Sequence, residues 1–199
     1  MDWNVPPEIP RQPGRKKLWV TADEHYGHRR IIGYQSRPFG TPEEMDAELI
    51  RRHNCVVSAA DTVIHVGDFS FGRAADFHRT ASSLHGVHFF MDGSHDRSMR
   101  EFFSSPDYET HRLQSPHIKL LPKLFEFTYG KTKVVLCHYA LHSWWASHHR
   151  GSSVHLHGHS HGRFSSPFCA IDIGVDTNNF YPYLVEDALA LAQAKAPSP

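Results

Sequence analysis

Histidines and carboxylates that follow short apolar runs are the most reactive feature of this sequence. Eighteen of the 199 residues are histidine, and histidine is the commonest metal ligand in proteins. Carboxylate and imidazole together are suited to zinc, manganese and iron. The apolar runs lead into five such groups: Asp23-Glu24-His25, Gly67-Asp68, Gly93-Ser94-His95-Asp96, Cys137-His138 and Gly158-His159-Ser160-His161-Gly162.

Each group is weak evidence for a metal site when it is taken alone. A triplet such as Asp23-x-His25 occurs by chance, and a glycine followed by Asp68 is also the pattern of a turn. The pair His159-x-His161 is equally compatible with a surface loop. Because ligands bind at the carboxyl ends of strands along one edge of an open α/β sheet, the five groups are expected to converge there. The ordered set therefore predicts a shared metal centre.

The first half of the chain alternates between predicted strands and helices that would carry these groups. Thr41, Pro42 and Glu44 form a capping box at the start of one helix, in which Glu44 is expected to reach back to the free backbone amide. Gly86 is suited to end the next helix in a left-handed conformation. This order predicts an α/β fold with right-handed crossovers. The predicted strands are residues 17–23, 62–66 and 87–91, and the predicted helices are residues 41–58 and 74–85.

The second half of the chain predicts a further sheet, because its strands follow one another without helices between them. Two runs around the Gly130-Lys131 turn predict a β-hairpin. The sheet is therefore expected to be mixed or antiparallel, and a last helix is expected after it. The predicted strands are residues 125–129, 132–136, 153–157 and 168–173, and the predicted helix is residues 185–194.

Length and charge predict a single domain that does not act at a membrane. A chain of 199 residues fits one domain, expected at residues 16–199 after an extended, proline-rich arm at residues 1–15. The 21 basic and 21 acidic residues balance, which argues against a broad basic surface for nucleic acid. No apolar run approaches the ~20 residues that span a bilayer, and the arm lacks the apolar segment of a signal peptide. Three cysteines without a CxxC pair fit a reducing, cytoplasmic location.

The ordered groups resemble the five-block pattern of the calcineurin-like metallophosphoesterases. Asp-x-His, Gly-Asp, Gly-(Asn)-His-Asp, His and Gly-His-x-His follow in this order from Asp23 to His161, over most of the chain. The run at residues 23–28, DEHYGH, is similar to the small single-domain bacterial or phage branch of that family. The resemblance implies a four-layer αββα sandwich, in which two mixed β-sheets lie face to face, helices flank them and the metals lie at one sheet edge.

The resemblance also implies a role for each matching residue. It implies two divalent metal ions as cofactors, for which manganese is the first choice and iron or zinc are the alternatives. His95 matches the catalytic histidine of the family, and Asp96 matches the carboxylate that orients its ring. The implied metal ligands are Asp23, His25 and His161 for the first ion, Asp68 as the bridge, and His138, His159 and Ser94 for the second.

This set of residues is suited to hydrolysis at phosphorus. Two metals ~3.5–4 Å apart can hold both oxygens of an in-line displacement and lower the pKa of water toward ~7, so that a bridging hydroxide attacks the ester. Protonated His95 would donate a proton to the leaving oxygen. His28, Arg73 and His142 lie near the motifs and are candidate contacts of the substrate phosphate, although each is also compatible with an ordinary loop position. The expected protein is a phosphodiesterase or phosphomonoesterase for substrates of nucleotide, cyclic-nucleotide or nucleic-acid type.

Position 94 departs from the family pattern, because Ser94 stands where the family has asparagine. A serine hydroxyl reaches less far than an asparagine amide and is a poorer neutral donor to a cation, so the second metal site is expected to be weakened. Three interpretations remain open: a natural variant with a weaker second metal, an engineered or spontaneous substitution, and a pseudoenzyme. Because His95 and the other ligands are present, a competent or partly impaired enzyme is favoured. The alternative function is a catalytically weak metal-binding scaffold or a sensor of phosphate ligands, and a metalloenzyme for other substrates is the least favoured.

Overall fold

The structure of the protein is a computed structural model that describes residue 9 and residues 16–195, apart from residues 107, 109, 111, 112, 114, 150 and 151. The predicted amino-terminal arm at residues 1–15 therefore lies outside the described residues, except for Ile9. Ile9 is buried in the main hydrophobic core. None of the described helices is both long and apolar enough to cross a membrane.

The described part of the chain forms nine strands and five helices. The strands are β1 Leu18–Thr21, β2 Thr62–Val66, β3 Val87–Met91, β4 Ile118–Leu120, β5 Leu124–Tyr129, β6 Thr132–Cys137, β7 Ser153–His157, β8 Ala170–Asp172 and β9 Tyr183–Leu184. The helices are α1 Arg29–Tyr34, α2 Pro42–Val56, α3 Ala74–Ser82, α4 Arg97–Phe103 and α5 Val185–Ala194. A short 3-10 helix, Val175–Thr177, follows β8.

The first sheet brings the carboxyl ends of its central strands to one edge. Its strand order is β4-β3-β2-β1-β9, with β1 to β4 parallel and β9 antiparallel. Leu18 lies opposite Thr62, which in turn lies opposite Val87. Because β1, β2 and β3 run side by side in register, the polar groups that follow them leave the sheet at the same edge.

The second sheet carries the two remaining polar groups. Its strand order is β5-β6-β7-β8. Strands β5 and β6 form the predicted hairpin, with Tyr129 opposite Thr132, whereas β6, β7 and β8 are parallel. Strand β6 ends directly before His138, and β7 ends two residues before His159. These two histidines therefore follow neighbouring parallel strands.

Apolar side chains from both sheets form one core between them. Val20 of β1 and Ile64 of β2 share a cluster with Phe127 of β5 and Val134 of β6. All four side chains are at most 2% exposed. Ala188 of α5 belongs to the same cluster, so this helix also packs against the sandwich. The two sheets therefore lie face to face, as the sequence predicts.

Helices α1 to α4 form a second apolar cluster with the first sheet. Burial of one apolar face of each helix holds these helices on the sheet. The α/β fold with two mixed sheets and packed helices is therefore confirmed. The cluster includes Ile31 of α1, Met45 of α2, Phe77 of α3, Met99 of α4 and Phe90 of β3.

The predicted boundaries are confirmed to different degrees. Strands β2, β3 and β7 and helix α5 begin and end where predicted. At α2, Thr41 Oγ1 accepts a hydrogen bond of 3.2 Å from the Glu44 backbone N–H, but the Glu44 carboxylate accepts one of 2.7 Å from Gly40, not from the capping residue. Helix α3 ends at Ser82, before the predicted end at His85. The short elements α1, α4, β4 and β9 do not follow from the sequence pattern.

Candidate metal centre

The chain turns sharply at five of the predicted ligands, through left-handed backbone. Non-glycine residues rarely adopt positive φ, and such strain persists where the surrounding structure enforces it. Nine described non-glycine residues have positive φ, and more than half of them are predicted ligands. This concentration of strain indicates a functional site. The φ angles are 59° at Asp23, 57° at His25, 58° at Asp68, 67° at His159 and 48° at His161.

Backbone contacts between the strand ends hold these turns together. The Asp23 N–H donates to the Gly67 carbonyl at 3.1 Å, and the His25 N–H donates to the Asp68 carbonyl at 3.0 Å. Gly67 has a φ of 88°, and a Cβ at this position would lie 2.6 Å from His138 Nδ1. Only glycine therefore allows this turn to approach the histidine so closely.

Three predicted ligands of the first metal form a compact cluster, the first group. One ligand atom each from Asp23, His25 and His161 lies within 4.8 Å of the others. The rings of His25 and His161 are stacked, with centroids 5.3 Å apart. Asp23 is fully buried, and its Oδ2 accepts a hydrogen bond of 2.8 Å from the His159 backbone N–H. A carboxylate and two imidazoles at this spacing suit a divalent transition metal.

The second group joins the two sheets and consists of Asp68, His138 and His159. One ligand atom from each lies within 4.8 Å of the others. His138 Nδ1 donates a hydrogen bond of 2.9 Å to the Val66 carbonyl. This bond fixes the ring and leaves Nε2 as the free nitrogen, the arrangement that metal-binding histidines commonly have.

Asp68, a member of the second group, also lies close to the first group. Its Oδ2 lies 3.7 Å from His25 Nε2 in the first group and 3.4 Å from His138 Nε2 in the second. Its Oδ1 accepts a hydrogen bond of 2.8 Å from the His95 backbone N–H. The carboxylate is therefore within reach of a cation in either group.

Several buried polar atoms of this site have no hydrogen-bond partner. Among the described residues, seven buried side-chain nitrogen or oxygen atoms lack one, and four of these are Asp23 Oδ1, both ring nitrogens of His25, and His138 Nε2. Leaving such atoms unpaired costs free energy, which bound cations would offset. The donor set and its unpaired atoms therefore fit two divalent metal ions.

Burial and charge set the protonation of these ligands. Burial lowers the pKa of His25 to about 2, so its imidazole is neutral and can coordinate a metal. Burial also raises the pKa of Asp23 well above its usual range, whereas a cation in the site would favour its ionised form. Burial opposes the charged form of His138, but the Asp68 carboxylate raises the pKa of His138 to about 9. Metal binding would therefore compete with protons at His138.

Ser94 contacts the second group through its hydroxyl. The Oγ donates to Asp68, at 2.8 Å to Oδ2 and 3.2 Å to Oδ1. The predicted ligand position therefore lies beside the Asp68 carboxylate, and the hydroxyl acts there as a hydrogen-bond donor.

Asp96 accepts hydrogen bonds from three backbone N–H groups. Its Oδ2 accepts from the backbone N–H groups of Asp68 and Gly93, at 2.7 and 2.8 Å, and its Oδ1 accepts from that of Phe69 at 2.8 Å. Among the hydrogen bonds of the described residues, none joins this carboxylate to the His95 ring. The role of Asp96 in orienting this ring therefore stays a prediction. The carboxylate ties the turn after β2 to the turn after β3.

Asp176 and Arg37 support the first group, and the sequence analysis does not identify them. Asp176 Oδ2 accepts a hydrogen bond of 2.7 Å from His161 Nδ1. Buried Arg37 holds the same carboxylate with two hydrogen bonds of 2.8 Å and donates to the carbonyls of Asp23 and Glu24 at 2.7 and 2.8 Å. Asp176 lies four residues after the end of β8, much as the candidate ligands follow their own strands. This position in the sequence could have indicated that Asp176 belongs to the site. No local pattern marks Arg37.

A cavity of ≈ 300 Å³ opens over the two groups. It is lined by ligands of both groups and by the predicted residues His28 and His95. The His28 ring stacks on Phe71, with centroids 3.8 Å apart, and these two rings form one wall. Arg30 and Tyr34 of α1 form another part of the lining, and neither follows from the sequence analysis because α1 itself was not predicted.

Two predicted substrate contacts, Arg73 and His142, are not among the residues that line this cavity. Arg73 precedes α3, where its backbone N–H donates to Asp76 Oδ2 at 2.9 Å. The His142 ring lies edge-on to Phe168, with centroids 6.2 Å apart. The lining of this cavity therefore gives no support to these two contacts, which stay predictions, because closeness to a motif in sequence does not fix where a loop side chain lies.

Comparison with known sequences identifies one relative of undefined function. No protein-family model matches the chain. An uncharacterized protein of Methanocaldococcus jannaschii is 35% identical over 89 residues, which cover 44% of this chain and 51% of that protein. The matched segment therefore spans about half the length of this curated relative.

Comparison with solved structures shows the fold. A crystal structure of a protein of unknown function from Aquifex aeolicus matches with a TM-score of 0.62 and 15% identity, covering 89% of this chain and 100% of that chain. A conserved uncharacterized protein of Streptococcus pneumoniae TIGR4, described as a predicted phosphoesterase, matches with a TM-score of 0.32 and 16% identity. That match covers 75% of this chain and 64% of the other. The fold is therefore shared with the Aquifex protein.

Proposed function

We propose that the protein is a metal-dependent hydrolase that cleaves phosphodiesters. The observation that carries the proposal is the position of Asp68 between the two groups, with Oδ2 3.7 Å from His25 Nε2 and 3.4 Å from His138 Nε2. A carboxylate shared in this way suits a dinuclear centre, and dinuclear centres serve phosphatases and nucleases. Both groups open into one cavity, where an ester would reach them.

The two groups would each hold one divalent ion. Once bound, these ions would supply Lewis-acid activation of water and stabilise negative charge at phosphorus. Manganese is the first choice, and iron or zinc are the alternatives, because imidazole and carboxylate ligands suit all three. The buried unpaired atoms of Asp23, His25 and His138 support this assignment.

His95 is the residue of this site best placed to protonate the leaving group. Its backbone N–H is held by Asp68 Oδ1 at 2.8 Å, and its ring centroid lies 5.3 Å from that of Phe71. It lines the cavity but belongs to neither metal-binding group. A protonated ring there would donate a proton to the leaving oxygen as the P–O bond breaks.

Two cavities meet at His95, which favours a diester over a monoester. The second cavity, of ≈ 260 Å³, is lined by Ser94, Arg97 and Arg100 and shares His95 and Phe71 with the first. A diester carries an organic group on each side of phosphorus, and each cavity would take one. Arg97 and Arg100 pair with Glu101 and Asp92 in the structure and would turn from these carboxylates toward further phosphate oxygens. Nucleotides, cyclic nucleotides and nucleic-acid ends are therefore the proposed substrates.

A cytoplasmic location is part of the proposal. Cys55, Cys137 and Cys169 are free cysteines in the structure. Free thiols are typical of a reducing compartment.

A catalytically weak metal-binding scaffold, or a sensor of phosphate ligands, is the second candidate function. The hydrogen bond from Ser94 to Asp68 favours it, because the hydroxyl occupies the same carboxylate oxygen that faces both groups. In that case the protein would bind metal and phosphate without turnover.

Hydrolysis of bis(p-nitrophenyl) phosphate by protein stripped of metal tests the proposal. Added manganese, iron or zinc is expected to restore the release of p-nitrophenol, and an Asp68→Asn variant purified in parallel is expected to remain inactive. Binding of metal and phosphate without turnover would support the scaffold. Equal turnover by the Asp68→Asn variant would contradict a centre built around Asp68.

A further inference from the structure

A chain of buried side chains runs from the turn between two first-group ligands into the layer under the helices. Glu24 Oε1 lies 2.7 Å from His65 Nδ1, and His65 Nε2 lies 3.0 Å from His88 Nδ1. The chain ends where His88 Nε2 lies 3.3 Å from the Leu84 carbonyl. Glu24, His65 and His88 are 3%, 1% and 0% exposed. Water is therefore excluded from these contacts, and the three side chains hydrogen-bond to one another, while Glu24 Oε2 has no partner among the described residues.

The direction of each hydrogen bond follows from the carbonyl at the end of the chain. The Leu84 carbonyl only accepts, so His88 carries a proton on Nε2. Burial holds the pKa of His88 well below its usual range, so the ring is neutral and its Nδ1 accepts from His65 Nε2. One further proton then lies between His65 Nδ1 and Glu24, on the ring or on the carboxyl. This is a charge-assisted or strongly polarised hydrogen bond in a dry environment.

Glu24 occupies a position from which such a bond would act on the site. It lies between Asp23 and His25, whose φ angles of 59° and 57° are unfavourable for non-glycine residues. Arg37 holds the backbone of this turn by donating hydrogen bonds to the carbonyls of Asp23 and Glu24. The Glu24 side chain, which points toward the helices, is held by its hydrogen bond with His65.

We propose that Glu24, held by His65 and His88, is a positioning residue that fixes Asp23 and His25 for the first metal ion. The proposal rests on the proposed function, because it concerns ligands of that centre. Glu24 belongs to neither ligand group and does not line the cavity, so its effect would be exerted through the backbone of its two neighbours. Ligand geometry held by surrounding hydrogen bonds is a recurrent requirement of metal sites.

A purely structural role for Glu24 predicts a different outcome. Replacing Glu24 would then lower the free energy of unfolding without changing amide exchange in the turn formed by Asp23 and His25. His53 provides a matched control, because it is 4% exposed and its ring stacks with His65 at a centroid distance of 6.2 Å. Its Nε2 contacts the His85 carbonyl at 3.0 Å, so it lies outside the chain of hydrogen bonds.

The experiment compares Glu24→Ala, Glu24→Gln and His53→Phe with the unchanged protein. Amide hydrogen exchange at Asp23 and His25 is measured by NMR without metal, and Mn²⁺ affinity is measured by calorimetry. Glu24→Ala is expected to speed exchange at both amides at least about tenfold and to weaken the first Mn²⁺ about 10–100-fold. Glu24→Gln keeps the series of hydrogen bonds intact, because the glutamine amide N–H donates to neutral His65 Nδ1. This variant is expected to keep both the exchange rates and the Mn²⁺ affinity within about threefold of those of the unchanged protein.

Two results would overturn the proposal. One is exchange at Asp23 and His25 that Glu24→Ala leaves unchanged, or changes no more than His53→Phe does. The other is a histidine side-chain NMR spectrum in which His65 carries no proton on Nε2. Neither result depends on metal, so an unchanged protein that binds no Mn²⁺ would contradict the proposed function while the exchange data still decide the role of Glu24.

Discussion

The Ser94 hydroxyl donates a hydrogen bond of 2.8 Å to Oδ2 of Asp68, the oxygen that faces both metal-binding groups. This hydrogen bond stabilises part of the negative charge of the carboxylate, so the carboxylate attracts a cation less strongly. It also takes the place where a longer side chain would direct an oxygen toward the second group. The identity of residue 94 should therefore control the second metal more than the first.

Ser94→Asn is expected to tighten binding of the second Mn²⁺ about 10–100-fold, the scale on which changes around metal sites act. The amide oxygen would be an additional neutral ligand, and the hydrogen bond to Asp68 Oδ2 would be lost. Calorimetric titration of both proteins, each stripped of metal, measures the two affinities. Ser94→Ala is the control, because it removes the hydrogen bond without supplying a ligand. Identical stoichiometry and affinity in the Asn variant and the unchanged protein would refute this prediction.

Asp176→Ala is expected to weaken the first metal about 10–100-fold, because His161 would lose the carboxylate that accepts its Nδ1 proton at 2.7 Å. The change also leaves buried Arg37 without its two hydrogen bonds to that carboxylate. Asp187→Ala, at an exposed position of α5, is the matched control. Calorimetry with Mn²⁺ measures the affinity. An Asp176→Ala protein that stays folded and binds the first metal as tightly as the control would show that this pair does not orient the ligand.

His95→Gln is expected to lower kcat about 10²–10⁴-fold for an ester with an alkoxide leaving group, such as a thymidine dinucleotide. The loss should be much smaller for bis(p-nitrophenyl) phosphate, because p-nitrophenolate leaves without protonation. Metal stoichiometry should not change, since His95 belongs to neither group. His142→Gln is the control, as that ring lies against Phe168. Equal losses on both substrates would rule out a proton-donor role.

The strand ends explain why the residues of the two groups could be brought together from the sequence and their supports could not. A candidate ligand such as His138 is marked by its place directly after an apolar run, and that signal is local. The backbone partners of Asp96 depend on how two turns meet across the sheet, whereas the family resemblance pairs Asp96 with the neighbouring His95. Arg37 contacts Asp176, a residue far along the chain, and no local pattern records such a contact.

The secondary structure likewise divides into elements that the sequence predicts and elements that it does not predict. Strands β2 and β3 were predicted to the residue because they are buried apolar runs bounded by turn residues. Strand β9 has two residues and exists because Tyr183 and Leu184 pair with β1. Helix α1 lacks acidic residues in its first turn and a side-chain cap, so it depends on tertiary packing of Ile31. Short elements of this kind have no signature in the sequence.

Burial of His53 is expected to lower the free energy of unfolding as the pH decreases. Burial lowers the pKa of His53 to about 3, whereas an unfolded histidine titrates near ~6.5. Between these values the unfolded chain binds a proton that the folded chain does not, so acidification favours unfolding by about 1.4 kcal/mol per pH unit. His53→Phe should remove this contribution and make the slope of unfolding free energy against pH shallower by about that amount.

Urea denaturation of metal-free protein at pH 6, 5 and 4 measures the slope. The exposed residue His85 supplies a control variant, His85→Gln, which is expected to keep the slope of the unchanged protein. A slope in His53→Phe equal to that of the unchanged protein would mean that His53 is not held neutral by burial.

Electron paramagnetic resonance of the protein loaded with two equivalents of Mn²⁺ tests most directly whether the two groups form one centre around Asp68. Two ions that share this carboxylate are expected to give the multiline spectrum of an exchange-coupled pair. Asp68→Asn is expected to abolish the coupling. A spectrum of isolated Mn²⁺ alone, with two ions bound per chain, would contradict a dinuclear centre and with it the proposed hydrolase.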